Sequence, residues 1–138
     1  MTFTAYTEKD LKAISVELLE YIQPHKILAF YGEMGVGKTT FISYLAKTMG
    51  VEEQVSSPTY GYVNEYVSKD FGKIYHFDLY RINSEEEAYN IGIEEYIYDE
   101  NYVFLEWAEN IENLLPEDYV RVEISKNQNG DRIIEVTL

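Results

Sequence analysis

Gly32-Glu33-Met34-Gly35-Val36-Gly37-Lys38-Thr39 is the stretch that decides how this sequence folds. It satisfies G-x-x-x-x-G-K-[ST] in full. Immediately before it, Ile27-Leu28-Ala29-Phe30-Tyr31 is short, apolar on both faces and stopped by Gly32, which predicts a buried strand. Immediately after it, Lys38 to Met49 predicts a helix closed by Gly50. Strand, glycine loop and helix in that order form a phosphate-binding loop. Its glycines, Gly35 and Gly37 with Gly32, let the backbone around Val36 turn so that N–H groups point inward at phosphate oxygens. The helix N-terminus adds partial positive charge. Lys38 is placed to neutralise the β- and γ-phosphates, and the Thr39 hydroxyl to ligate Mg²⁺. The motif alone thus predicts a protein that holds ATP or GTP with Mg²⁺; a glycine-rich turn with a chance lysine would not need the flanking strand and helix.

Outward from the loop, the rest of an α/β pattern follows. Leu11, Ile14, Leu18, Leu19 and Ile22 recur at helical spacing, with Thr7 as the expected N-cap, Asp10 three residues on, and Pro24 as the stop. Tyr60–Val67 and Lys73–Phe77 read as strands, and Ser84-Glu85-Glu86-Glu87 as a capped helix start with an acidic first turn. Tyr102-Val103-Phe104-Leu105 reads as a second buried strand. Tyr119–Ser125 and Arg132–Leu138 alternate as an antiparallel hairpin turning at Asn129-Gly130. The expected fold is one P-loop NTPase-like domain over 1–138, in three layers, with a mixed, mainly parallel sheet and a C-terminal antiparallel hairpin.

Composition excludes several classes. A chain of 138 residues with 46% hydrophobic residues can bury roughly two-thirds of its unfolded surface and is globular. It has no cysteine, so neither disulfides nor thiolate metal sites arise. Its net charge of −14 opposes direct binding to DNA or RNA, whose phosphates need Lys and Arg. No basic n-region and apolar h-region open the sequence, and no apolar run approaches the ~18 residues of a membrane span, so a cytoplasmic address without membrane contact is expected.

Three further segments carry candidate chemistry. Ile74-Tyr75-His76-Phe77-Asp78 resembles a Walker B strand, whose terminal Asp would orient or bind Mg²⁺; His76 inside it reads as a half-exposed strand histidine. Glu106-Trp107 follows an apolar strand, and a carboxylate at such a strand end in an open α/β sheet points into the ligand crevice. Glu106 would there ligate Mg²⁺ or position water; the other reading is a surface acid beside a core tryptophan. In Ser57-Pro58-Thr59-Tyr60, Thr59 is a candidate switch residue sensing the γ-phosphate, although a Pro-containing turn explains the same residues.

Together, Gly-Glu-Met-Gly-Val-Gly-Lys-Thr-Thr at 32–40, Ser-Pro-Thr-Tyr at 57–60, Tyr-His-Phe-Asp-Leu-Tyr-Arg at 75–81, Gly-Ile at 92–93 and Glu-Trp at 106–107 resemble the bacterial ATPase family of tRNA threonylcarbamoyladenosine biosynthesis, TsaE, earlier YjeE. The phosphate loop is generic; the 75–81 string and the Glu-Trp pair are specific, and the likeness runs along nearly the whole chain. The resemblance implies an ATPase acting with TsaD and TsaB, which modify the adenosine beside the tRNA anticodon, so that tRNA is met only through the complex. It implies that Lys38, Thr39 and Thr40 hold phosphate and Mg²⁺ of bound ATP or ADP. It also implies that Asp78 is the Walker B acid, that Glu106 acts at metal and water, and that Trp107 shares that strand end. Nucleoside contacts are implied near Thr7 and Gly130. Gly61 departs from the family's usual Thr.

Other classes compete. A small-molecule or nucleotide kinase of this fold would need a lid carrying arginines, and the chain has only Arg81, Arg121 and Arg132. A GTPase switch would need Asn-Lys-x-Asp, which is missing. A non-catalytic nucleotide-dependent binding module would differ only in whether Glu106 is placed to activate water.

Overall fold

The computed structural model describes residues 1–58 and 61–138. Ile27–Tyr31 forms β2 as expected, and it lies mid-sheet because neither of its faces is polar. It pairs in parallel with β5, Tyr102–Glu106, on one side and with β6, Val120–Lys126, on the other. β5 pairs in parallel with β4, Gly72–Asp78. These four parallel strands carry antiparallel margins: β3, Val63–Ser68, on β4, and β7, Arg132–Thr137, on β6. The outermost strand β1, Thr2–Ala5, pairs antiparallel with β7. The order is therefore β1-β7-β6-β2-β5-β4-β3. Because β1 reverses β7 and β7 reverses β6, five of the seven strands among the described residues point the same way.

Side-chain alternation along each strand divides the core in two. Leu28 and Phe30, with Phe104, Ile74, Val122 and Ile134, face α1, Asp10–Ile22, and α2, Lys38–Thr48. Ala29 and Tyr31, with Val103, Leu105 and Phe77, face α3, Glu85–Asn90, α4, Ile93–Ile97, and a kinked 3₁₀ segment, Ala108–Leu114. Helices on both faces of one sheet are the three layers the sequence predicts. Phe30 anchors the first core, completely buried and edge-on to both Phe41 of α2 and Phe104 of β5.

Local expectations hold at several ends. The Ser84 hydroxyl accepts from the Glu87 N–H at 3.1 Å, capping α3. Gly50, at φ +93°, closes α2, its N–H donating to the Lys47 carbonyl, with Val51 donating to Ala46. The hairpin turns through 127–131, where the Asn127 side chain accepts from the N–H groups of Asn129 and Asp131. Two expectations are corrected. Helix α1 starts at Asp10 rather than beside Thr7, since 7–9 form a turn and the Asp10 carboxylate reaches back to the Thr7 N–H at 3.0 Å. Of the strand expected over Tyr60–Val67, Tyr60 lies outside the described residues, residues 61 and 62 form a bend, and the strand runs Val63–Ser68. Strand β1 and the 3₁₀ segment have no clear sequence pattern, being short and defined by what they dock against. No helix among the described residues is long and apolar enough to cross a membrane.

Candidate functional site

The phosphate loop is built by close approach. Gly32, at φ +149°, follows β2 so tightly that a Cβ there would lie 2.6 Å from the Ile124 carbonyl oxygen and 2.8 Å from Val36. Gly37 holds a left-handed conformation as the residue preceding α2, and Val36 N–H closes the turn onto the Glu33 carbonyl. The loop is tethered from across the sheet. The Arg132 guanidinium, at the start of β7, donates from Nε to the Val36 carbonyl at 2.7 Å and from NH1 to the Gly130 carbonyl at 2.9 Å.

Lys38 begins α2 and is 5% exposed. Its ammonium donates to the Gly32 carbonyl at 2.6 Å and lies 3.7 Å from the centroid of the Trp107 ring. Burial pulls its pKa below the ordinary 10.5, opposed by the nearby carboxylates of Glu109, Glu106 and Asp78. Trp107 sits just past β5 in a left-handed conformation (φ 61°, ψ 40°), which is strained for a bulky residue, and it also packs on Tyr80.

Asp78 and Glu106 are the last residues of two adjacent parallel strands and are direct register partners. Strand alternation aims both at the α2 face. The Thr39 hydroxyl, on the first turn of α2, donates to the Glu106 carboxylate, 2.9 Å from one oxygen and 3.0 Å from the other. It lies 3.0 Å from the Ser57 hydroxyl. Asp78 is half-buried and accepts from the Tyr80 N–H at 3.1 Å. Gly35, Gly37, Lys38, Thr39, Thr40, Ser57, Asp78, Tyr80, Glu106 and Trp107 line one open cleft of about 320 Å³.

A second cavity of about 200 Å³ adjoins it, sharing Gly37 and Thr40. Its walls bring together Thr7, Val36, Gly130 and Arg132, which are far apart in sequence. The two positions expected near a nucleoside, Thr7 and Gly130, thus meet on the other side of the phosphate loop from the carboxylates. Thr59 lies outside the described residues.

Glu106 is not a surface acid: it is 3% exposed, held by Thr39 on one side and by His76 on the other, Nε2 to Oε2 2.6 Å. His76 is correspondingly not a half-exposed strand residue but completely buried. Parity was the available signal, because a residue two before Asp78 must share its face of the sheet. Arg132 had no local signal at all, since its partner Val36 is 96 residues away. Ser57 stood in a segment singled out for Thr59.

The oxygen donors suit a hard cation. Among the described residues no group of three or more His, Cys, Asp or Glu could hold a metal by itself. A hydroxyl and one or two carboxylates at a phosphate loop instead match Mg²⁺ arriving with the phosphates that complete its shell.

Central parallel strands, a glycine loop between β2 and α2, and paired acids at the ends of β4 and β5 define a P-loop nucleoside-triphosphatase-like α/β protein. The model of the family described as threonylcarbamoyl adenosine biosynthesis protein TsaE matches residues 5–134, and the chain belongs to that family. A protein of Bacillus subtilis named tRNA threonylcarbamoyladenosine biosynthesis protein TsaE is 32% identical over 129 residues, 94% of this chain and 80% of its own length. Its Haemophilus influenzae namesake is 38% identical over 111 residues, covering 78% of this chain and 69% of its own. The crystal structure of YdiB from Bacillus subtilis superposes with a TM-score of 0.76 at 25% identity, over 97% of this chain and 82% of that one.

Proposed function

We propose that this protein is the ATP-hydrolysing subunit of the machinery that forms threonylcarbamoyladenosine in tRNA, working with TsaD and TsaB rather than alone. The observation that carries the chemical half is the meeting of Lys38, Thr39 and Glu106 at one cleft, with Asp78 beside them. The family and the names of its relatives support the biological half.

In this reading Lys38 and the loop backbone bind the β- and γ-phosphates, and the acid-lined end of the cleft receives the γ-phosphate. Thr39 and Asp78 would hold Mg²⁺, with Glu106 beside it. When bound, the ion would neutralise charge developing on the phosphoryl oxygens. Glu106 also orients the attacking water, being buried enough to act as a fixed acceptor. The adjoining cavity between Thr7, Val36 and Gly130 would take the nucleoside, and adenine is favoured because the chain has no guanine-reading Asn-Lys-x-Asp. The cleft is open and its described cationic lining is Lys38 alone, so a cation supplied by a partner is a natural complement to the transition state. A net charge of −14 would steer the chain toward basic protein surfaces and away from tRNA itself.

The deciding experiment is ATP turnover by the purified chain with and without the purified TsaD–TsaB pair, at two salt concentrations, beside a tRNA gel shift. Stimulation by the pair, stronger at low salt and with no tRNA shift by the chain alone, is expected. Turnover indifferent to the pair, with no complex on size exclusion in ATP, would favour a free-standing enzyme such as a kinase. A GTP competition experiment checks the base: preferential GTP binding would overturn the adenine assignment.

A further inference from the structure

His76 lines neither cavity, yet it makes one of the shortest polar contacts in the molecule. We propose that His76 is the positioning residue for Glu106: its Nε2–H holds the carboxylate in the orientation that meets Thr39, so that the acid is aimed before nucleotide arrives. The inference rests on the reading of Glu106 as the acid acting at the Mg²⁺-nucleotide.

The register supplies the placement. His76 faces Phe104 and Asp78 faces Glu106 on the paired strands β4 and β5, so the imidazole stands one step behind both acids on the same face. A carboxylate only accepts, so we assign the hydrogen of the 2.6 Å contact to Nε2. The other ring nitrogen, Nδ1, is buried with no hydrogen-bond partner among the described residues. Among the described residues the imidazole therefore has one polar contact, and that contact is Glu106. Were the position only a matter of packing beside Ile74 and Phe104, an apolar side chain would fill it without burying an unpaired nitrogen.

The far side of the ring is also fixed. Tyr66 packs on the imidazole at 6.3 Å between centroids, and its hydroxyl donates to the Ser56 carbonyl at 3.0 Å. Ser57, the next residue, meets Thr39. Glu106 is thus held between two supports, α2 through Thr39 and β4 through His76. A free glutamate has three side-chain torsions, and hydrogen bonds from both Thr39 and His76 remove most of that freedom before binding. Trp107 follows immediately, so the same anchor fixes the start of the strained turn that carries the indole against Lys38.

The test uses the full chain with His76→Leu, which removes the N–H, and His76→Gln, which keeps a donor near the reach of Nε2. ADP affinity is measured by calorimetry with and without Mg²⁺, beside thermal melting and partner-stimulated kcat and KM. His76→Leu is expected to keep metal-free ADP affinity, to lose roughly 10-fold of the gain that Mg²⁺ brings, and to lower kcat by roughly 10- to 100-fold at unchanged KM. His76→Gln should recover most of both losses, and His76→Leu should change nothing further in a Glu106→Ala background. If His76→Leu does not fold, His76→Asn, too short to reach Glu106, takes its place against His76→Gln. A Mg²⁺-dependent gain left intact by removal of the donor overturns the inference alone, as does a kcat loss that persists in the Glu106→Ala background or that Gln fails to rescue. A wild-type protein whose ADP affinity ignores Mg²⁺ overturns the reading of the site and this inference together.

Discussion

The Lys38 ammonium lies 3.7 Å from the centre of the Trp107 indole ring and 2.6 Å from the Gly32 carbonyl, so the lysine rests against its own protein. Phosphate oxygens compete for the same ammonium. Since Trp107 is the only tryptophan, its emission should change when nucleotide and Mg²⁺ are added. Lys38→Met should abolish the change and weaken nucleotide binding by at least ~10-fold, about 1.4 kcal/mol. Fluorescence titration and calorimetry check both; an unaltered affinity would remove Lys38 from the site.

Glu106 and Asp78 are register partners with different surroundings, and they should separate functionally. Glu106→Ala should lower ATP turnover by about 100-fold or more while nucleotide still binds. Asp78→Ala should instead move the Mg²⁺ concentration needed for half-maximal turnover upward. Steady-state assays over a Mg²⁺ series tell the two apart.

Arg132 ties the hairpin to the phosphate loop through Val36 and Gly130. Arg132→Met keeps the aliphatic stem and loses both bonds. Nucleotide affinity should fall roughly 10-fold and stability by about 1–2 kcal/mol, read from urea unfolding with and without ADP.

Burial lowers the pKa of Lys38, against the raising effect of Glu109, Glu106 and Asp78. In the window below 10.5 the unfolded chain then keeps a proton that the folded protein has released. The unfolded state binds more protons there, so folding stability contributed by this site rises with pH. Wild-type stability should gain on Lys38→Met as pH climbs toward the unfolded pKa of 10.5, measured by urea midpoints across an alkaline pH series. A constant difference would mean that burial does not disfavour the charge.

Phe30→Ala empties the contact between β2, α2 and β5. A loss of about 3–5 kcal/mol is expected from chemical denaturation, a large share of the stability of a domain this size.

The sequence by itself determined the features that obey local rules. The apolar run 27–31, the glycines of 32–37 and the amphipathic helices need only nearest neighbours along the chain, and they placed the phosphate loop between β2 and α2. Asp78 and Glu106 were legible as acids ending strands, because strand ends in an open parallel sheet are where ligands bind. Which strands lie side by side was not legible, because pairing is a choice among distant partners that depends on how both sheet faces are covered. Only the tertiary structure made Asp78 and Glu106 register neighbours, seated His76 behind them, bent Trp107 back onto Lys38, and reached Arg132 over 96 residues to the Val36 carbonyl. Local pattern fixes which residues can turn toward a site; long-range packing fixes which of them meet, since hydrogen bonds such as these form only after the sheet has brought their donors and acceptors within about 3 Å.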